Sequence, residues 1–158
     1  MFMYEALLRR AKNQFPIRVG LIGAGKFGSM FLAQVPSTPG LEVVAIADLF
    51  PDQAKATCAS IGWSKELIAQ TIFSQDAVEI MQSVELDVIV EATGDPIAGI
   101  THARHAIANR RHIVMVNVEA DVLAGSFLAQ EAEEAGVVYS MAYGDQPALT
   151  CELVDWAR

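Results

Sequence analysis

The sequence predicts a doubly wound α/β domain, in which one parallel sheet carries helices on both faces and its strands run in the order 3-2-1-4-5-6. Three observations lead there. Short apolar runs alternate with longer segments of helical period from residue 16 onward. Most of the runs are apolar on both faces instead of alternating, as strands covered by helices on two sides are. The elements also recur as two similar halves, which right-handed crossovers distribute to either side of the first strand.

Before the alternation begins, "MFMYEALLRRAKNQF" (1–15) mixes Glu5 and several basic residues with apolar ones, the pattern of a short amphipathic helix. It lacks the long apolar core and small-residue cleavage site of a secretory signal. The predicted strands are "IRVGLIG" (17–23), "LEVVAIAD" (41–48), a weak "TIFS" (71–74), "LDVIVEA" (86–92), "HIVMVN" (112–117) and "GVVYSMA" (136–142). Helices are predicted over 26–35, 51–60, 75–83, 96–109, 120–135 and 147–158. Pro51 and Pro96 stand where a first helical turn starts, at which a missing N–H costs least, and Gly136 stands where a left-handed cap closes a helix. The segment 63–70 has no clear pattern and reads as an insertion before the third strand. Without a repeat or linker, residues 16–158 form one domain behind the leading helix 1–15.

Composition narrows the function. A formal net charge of −8 opposes binding to phosphate backbones and anionic membranes, whose sequence-independent attraction comes from Lys and Arg. No apolar run approaches the ~20 residues needed to cross a bilayer. Cys58 and Cys151 are far apart with no metal-ligand spacing, so both are expected to be buried thiols in a reducing, cytoplasmic setting. His102 and His105 share a helix face, but no third ligand follows, and a metal site is not expected. "EAEEAG" (131–136) reads as a solvated helix face; Trp63 and Trp156 are expected to pack, an exposed Trp156 implying a missing neighbour.

The chemistry begins in "VGLIGAGKFG", where a strand ends in Gly23-Ala24-Gly25-Lys26-Phe27-Gly28 and a helix opens. Alone, G-x-G-x-x-G is weak, but Asp48 ends the next strand 20 residues after Gly28, as the dinucleotide fingerprint requires. In that reading Gly23 permits the tight turn, Gly25 lets the backbone approach a pyrophosphate, and Gly28 lets helix pack on strand. The helix offers unpaired N–H groups and the positive end of its dipole to the diphosphate. Lys26 either adds charge or lies on a solvated face. Asp48 is placed to accept the adenosine ribose hydroxyls and to repel a 2′-phosphate. Leu49-Phe50-Pro51 brings no cation to welcome that phosphate, so the sequence leans to NAD over NADP, with Lys55 and Lys65 as the cations able to swing in.

In the second half "IVEATGDP" ends a buried strand with Ala92, Thr93 and Gly94, where the nicotinamide ribose is expected. Glu91 is either a ligand for ribose or loop N–H groups or is partnered locally. Asn117 and Glu119 share this rim; Asn117 either orients the nicotinamide or caps a helix. Tyr143, Asp145 and Gln146 are expected along the domain's edge.

Together "VGLIGAGKFG", "VVAIAD", "DVIVEATG" and "VMVNVEADVLAG" resemble the NAD(P)-binding domain, a Rossmann fold, of homoserine-dehydrogenase-like oxidoreductases, closest to the branch of deoxyxylulose-phosphate-reductoisomerase-like enzymes. The resemblance implies that Gly23, Gly25, Gly28 and Asp48 bind the adenosine diphosphate half, with Thr93, Gly94 and Asn117 on the nicotinamide side; Ala24, Lys26, Phe27, Leu49 and Ala92 complete the expected cofactor-binding set. Glu119 stands nearest the lysine of the T-A-N-K segment of true homoserine dehydrogenases, which argues against homoserine as substrate and leaves Glu119 the one catalytic candidate. Such enzymes continue into a substrate domain, whereas this chain stops within an apolar-periodic helix that has no stop signal. The expectation is a cofactor domain serving a small carbonyl or alcohol, phosphorylated or not, through a missing C-terminal domain; homo-oligomers are left open. The rivals are a non-enzymatic NAD(H)-sensing module and, further back, an S-adenosylmethionine-dependent methyltransferase.

Overall fold

Six strands pair side by side in the computed structural model, which describes residues 3–144 and 146–158. They are β1 (Ile17–Ile22), β2 (Leu41–Ala47), β3 (Ile72–Ser74), β4 (Val88–Glu91), β5 (His112–Met115) and β6 (Tyr139–Met141), all parallel and in the predicted order β3-β2-β1-β4-β5-β6. Register puts the strand ends level. Ile22 stands beside Ala47 and Glu91, Ala47 beside Ser74, and Glu91 beside Met115. Gly23, Asp48 and Ala92 therefore leave the sheet at one rim, on both sides of the point where the strand order reverses.

Consecutive strand residues bury themselves on opposite faces. Leu21 and Val90 join a core layer with Leu32, Ile46, Cys58 and Trp63, while Ile22 and Ile89 join the other with Ile80, Met81, Ile113 and Leu128. This double burial is why the runs lack a polar face. Helices α2 (Lys26–Gln34) and α3 (Pro51–Ser60) cover the first layer; α5 (Ala77–Ser83), α6 (Pro96–Ala108) and α7 (Val118–Ala135) cover the second. The leading helix is α1 (Met3–Lys12), none of whose residues is fully buried.

The segment before β3 carries more order than its pattern announces. Ser64 caps a short helix, α4 (Lys65–Gln70), by accepting from the Leu67 N–H, and the Trp63 indole donates to the Leu32 carbonyl at 2.8 Å. Helix α7 starts two residues earlier than its period suggests, with Asn117 as cap, and closes on Gly136 at φ 71°. One expectation fails. Cys58 is buried but Cys151 is exposed, because its helix, α8 (Gln146–Ala157), lies outside both core layers and leaves Leu153 and Trp156 in solvent. Trp63 packs; Trp156 is 86% exposed.

Candidate functional site

The glycine turn is shaped by its neighbours. Gly23, at φ 93°, sits so close to β4 that a Cβ would lie 2.7 Å from the Ala92 carbonyl oxygen, and a Cβ on Gly28 would run into the Gly23 carbonyl. Those two glycines are required by packing. Gly25 is different, because a Cβ there would meet nothing within 4 Å. Its backbone is extended (φ −69°, ψ −153°) and serves as the N-cap of α2 without a side-chain cap. An α-helix leaves its first-turn amides without carbonyl partners, so those of Lys26 and Phe27, next to Gly25, have none within α2.

Asp48 borders the same space and also builds it. Its Oδ2 accepts from the Ala24 N–H at 2.8 Å and its Oδ1 from the Phe50 N–H at 2.9 Å, which ties the glycine turn to the end of β2. A carboxylate has about four acceptor positions, so each oxygen keeps one for a hydroxyl. Leu49 and Phe50, both exposed, form an apolar lip. Together with Gly23, Gly25, Ala77, Ala92 and Thr93 these residues line a cavity of about 270 Å³. Lys26 and Phe27 point outward. Lys55 is turned away onto Asp52 at 3.5 Å and the Phe73 ring at 5.5 Å.

On the other side of the reversal the polar groups are knitted together. Glu91, fully buried, accepts at Oε1 from the Thr93 hydroxyl at 2.6 Å. Asn117 accepts from the Ala120 N–H at 3.1 Å and donates to the Asp95 carbonyl at 2.8 Å. Both ends of its amide are thus engaged in capping α7 and holding the turn before α6, behind Thr93 and outside the cavity lining. Gly94, at φ 77°, is exposed, as is Glu119 in the first turn of α7. The Tyr143 hydroxyl donates to Glu152 at 2.8 Å, and that carboxylate holds the phenol above its ordinary range. Gln146 opens α8, and Asp145 lies outside the described residues.

The residue that the pattern did not single out for this site is His102. From α6 it reaches the cavity wall, with Nδ1 3.2 Å from Glu91 Oε1. The available signal was Glu91 itself, a carboxylate in a buried strand that needs a partner. His105 lies instead beside Arg104 and Glu131 on a separate groove. Among the described residues no group of three or more His, Cys, Asp and Glu is placed to hold a metal ion, and no helix is long and apolar enough to cross a membrane.

A nucleotide diphosphate fits this donor set: unpaired amides at a helix start, a space only glycine leaves open, and a carboxylate with spare acceptor positions one strand away. Comparison agrees. Residues 17–143 match the Gfo/Idh/MocA family, described as an oxidoreductase family with an NAD-binding Rossmann fold. Among solved structures, the homoserine dehydrogenase from Thiobacillus denitrificans aligns over 80% of this chain and 29% of its own, at 23% identity and a TM-score of 0.67. The WlbA dehydrogenase from Bordetella pertussis, in complex with NADH and UDP-GlcNAcA, aligns over 90% and 42%, at 21% identity and a TM-score of 0.67. The homoserine dehydrogenase from S. aureus aligns over 80% and 32%, at 21% identity and a TM-score of 0.59. The chain thus spans well under half the length of these structures, and the likeness at such identities is one of fold. Comparison with curated proteins finds no match.

Proposed function

The chain belongs to the oxidoreductase family with the NAD-binding Rossmann fold, and from that premise we propose that it is the cofactor-holding part of an enzyme transferring hydride between a nicotinamide dinucleotide and a small carbonyl or alcohol, phosphorylated or not. The observation that carries the reading is the open space at Gly25, flanked by the first-turn amides of α2 and the Asp48 carboxylate. In it the amides around Gly25 hold the diphosphate, Asp48 holds the adenosine ribose, and Thr93 and Gly94 border the second ribose. Asn117 acts from behind, by fixing the turn that carries Thr93.

When bound, the cofactor supplies the hydride chemistry; this chain's share is placement. Of its own groups, Glu119 is the candidate for moving a proton at the rim. The chain spans only 29% and 42% of two of the structures it aligns with, and in this reading the substrate's remaining contacts lie outside it, so residues 1–158 alone bind cofactor and turn over little or nothing. NAD is preferred to NADP. The Asp48 charge opposes a 2′-phosphate, and Lys55, the nearest cation along the chain, is held by Asp52 and Phe73.

Parallel calorimetric titration with NAD and NADP tests this. Saturable binding with NAD the tighter ligand is expected; binding of neither would overturn the reading. Nothing in the fold or the family match favours a methyltransferase or a sensing module.

A further inference from the structure

His102 on the cavity wall and the buried Glu91 form a polar pair that the placement of diphosphate and ribose leaves unused. Glu91 is 0% exposed, and a carboxylate is almost never buried so completely unless paired. Its sheet neighbours at the same level, Ile22 and Met115, are buried and apolar, so an aliphatic side chain would continue that layer without the desolvation cost. Oε1 takes the Thr93 hydroxyl at 2.6 Å and faces His102 Nδ1 at 3.2 Å, while Oε2 is buried with no hydrogen-bond partner among the described residues. An arrangement this costly calls for a return beyond packing, and the imidazole provides one.

A carboxylate on one ring nitrogen fixes the orientation of a histidine and keeps the proton on that nitrogen. With Nδ1 held by Glu91, Nε2 has no partner among the described residues. The ring lies on the wall of the cavity that also includes Gly23, Gly25, Asp48 and Thr93. A residue that served only to neutralise Glu91 would not need a place on that wall.

We propose that His102 is a further cofactor-binding residue, whose Nε2 hydrogen-bonds a ribose hydroxyl of the bound dinucleotide, and that Glu91 is the residue positioning it. The inference rests on the dinucleotide reading of the crevice. A hydroxyl is the group that satisfies Nε2 in either charge state, since it donates to the neutral ring and accepts from the imidazolium. A phosphate oxygen serves only the imidazolium, and a base amino group only the neutral ring. The dinucleotide has hydroxyls on two riboses, and the cavity runs from Asp48 to Thr93, within reach of both sugars.

The test is calorimetric titration of wild type, His102→Leu, His102→Gln and Glu91→Gln with NAD, ADP-ribose, ADP and pyrophosphate. His102→Leu should weaken NAD about 5- to 10-fold, the worth of one neutral hydrogen bond. His102→Gln keeps a polar group at similar reach and should recover to within about 3-fold. Glu91→Gln keeps the acceptor for Nδ1 and should fall between them. A loss shared by ADP assigns the contact to the adenosine ribose, and a loss confined to NAD and ADP-ribose assigns it to the second ribose; either supports the proposal. A loss of the same size with pyrophosphate means that the turn itself is distorted, and overturns it. Equal NAD binding by wild type and His102→Leu also overturns it while leaving the dinucleotide reading intact, whereas a wild-type chain that binds no NAD defeats that reading first.

Discussion

Replacing Gly25 with alanine separates holding the fold from holding the ligand. The Gly25 backbone is extended, so an alanine adopts it, and its Cβ would meet no atom within 4 Å. Stability should therefore stay within about 0.5 kcal/mol, or rise by up to ~1 kcal/mol as the unfolded chain loses freedom. In a domain of this size that leaves the thermal midpoint within about 3 °C of wild type or slightly above it. Binding should behave differently, because the new methyl stands where a diphosphate must lie to reach the amides of Lys26 and Phe27. Losing one or two hydrogen bonds to a charged group, at roughly 1.5–3 kcal/mol each, amounts to about 3 kcal/mol, or close to 100-fold in NAD affinity. Gly28→Ala is the contrast, since its Cβ runs into the Gly23 carbonyl and should lower the midpoint together with affinity. Thermal unfolding and NAD titration on the same preparations decide the matter. A Gly25→Ala chain that melts normally and binds NAD within about 3-fold of wild type would refute the assignment of that space to the diphosphate.

Three further outcomes follow from single sites. Asp48→Ala should weaken NAD roughly 10- to 100-fold and NADP far less, with a modest fall in thermal midpoint because Ala24 and Phe50 lose their shared acceptor; equal losses for both cofactors count against Asp48 as the ribose partner. A thiol reagent should label Cys151 in the folded chain and Cys58 only on unfolding. Burial pushes the Cys58 thiol up from 9.0 to about 11, so the unfolded thiol ionises first and stability should decline as pH rises through that interval. A decline of the same size in Cys58→Ala would remove the thiol as its cause.

The first half of the candidate site has signals in the sequence because they are local. A strand, three glycines and a helix start stand within a dozen residues; Gly23 and Gly28 are needed because a side chain there would strike neighbouring backbone, and Gly25 matters through the space its missing side chain leaves open. Asp48 is remote by 20 residues, but the fold fixes its position through one crossover between adjacent parallel strands. The second half resisted for the opposite reason. Glu91 and His102 each have a bland explanation alone, and only α6 folding back over β4 shows that they share one. Asn117 was legible in type but not in use, since the same amide that suits a ligand also suits the cap of α7. The exposed face of α8 marks another limit, because periodicity tells which side of a helix is apolar and is silent on whether anything covers it.

The two carboxylates of the crevice illustrate how one side-chain type takes opposite roles from its surroundings. Asp48, at the rim, holds two backbone amides and still has room to accept, so it organises the glycine turn before any ligand arrives. A turn already held open spares a diphosphate the entropy of ordering it, which is where much of the affinity of such loops lies. Glu91, fully buried, meets no amide among the described residues beyond the weak 3.4 Å approach of Thr93, so its contacts toward the cavity are a hydroxyl and an imidazole.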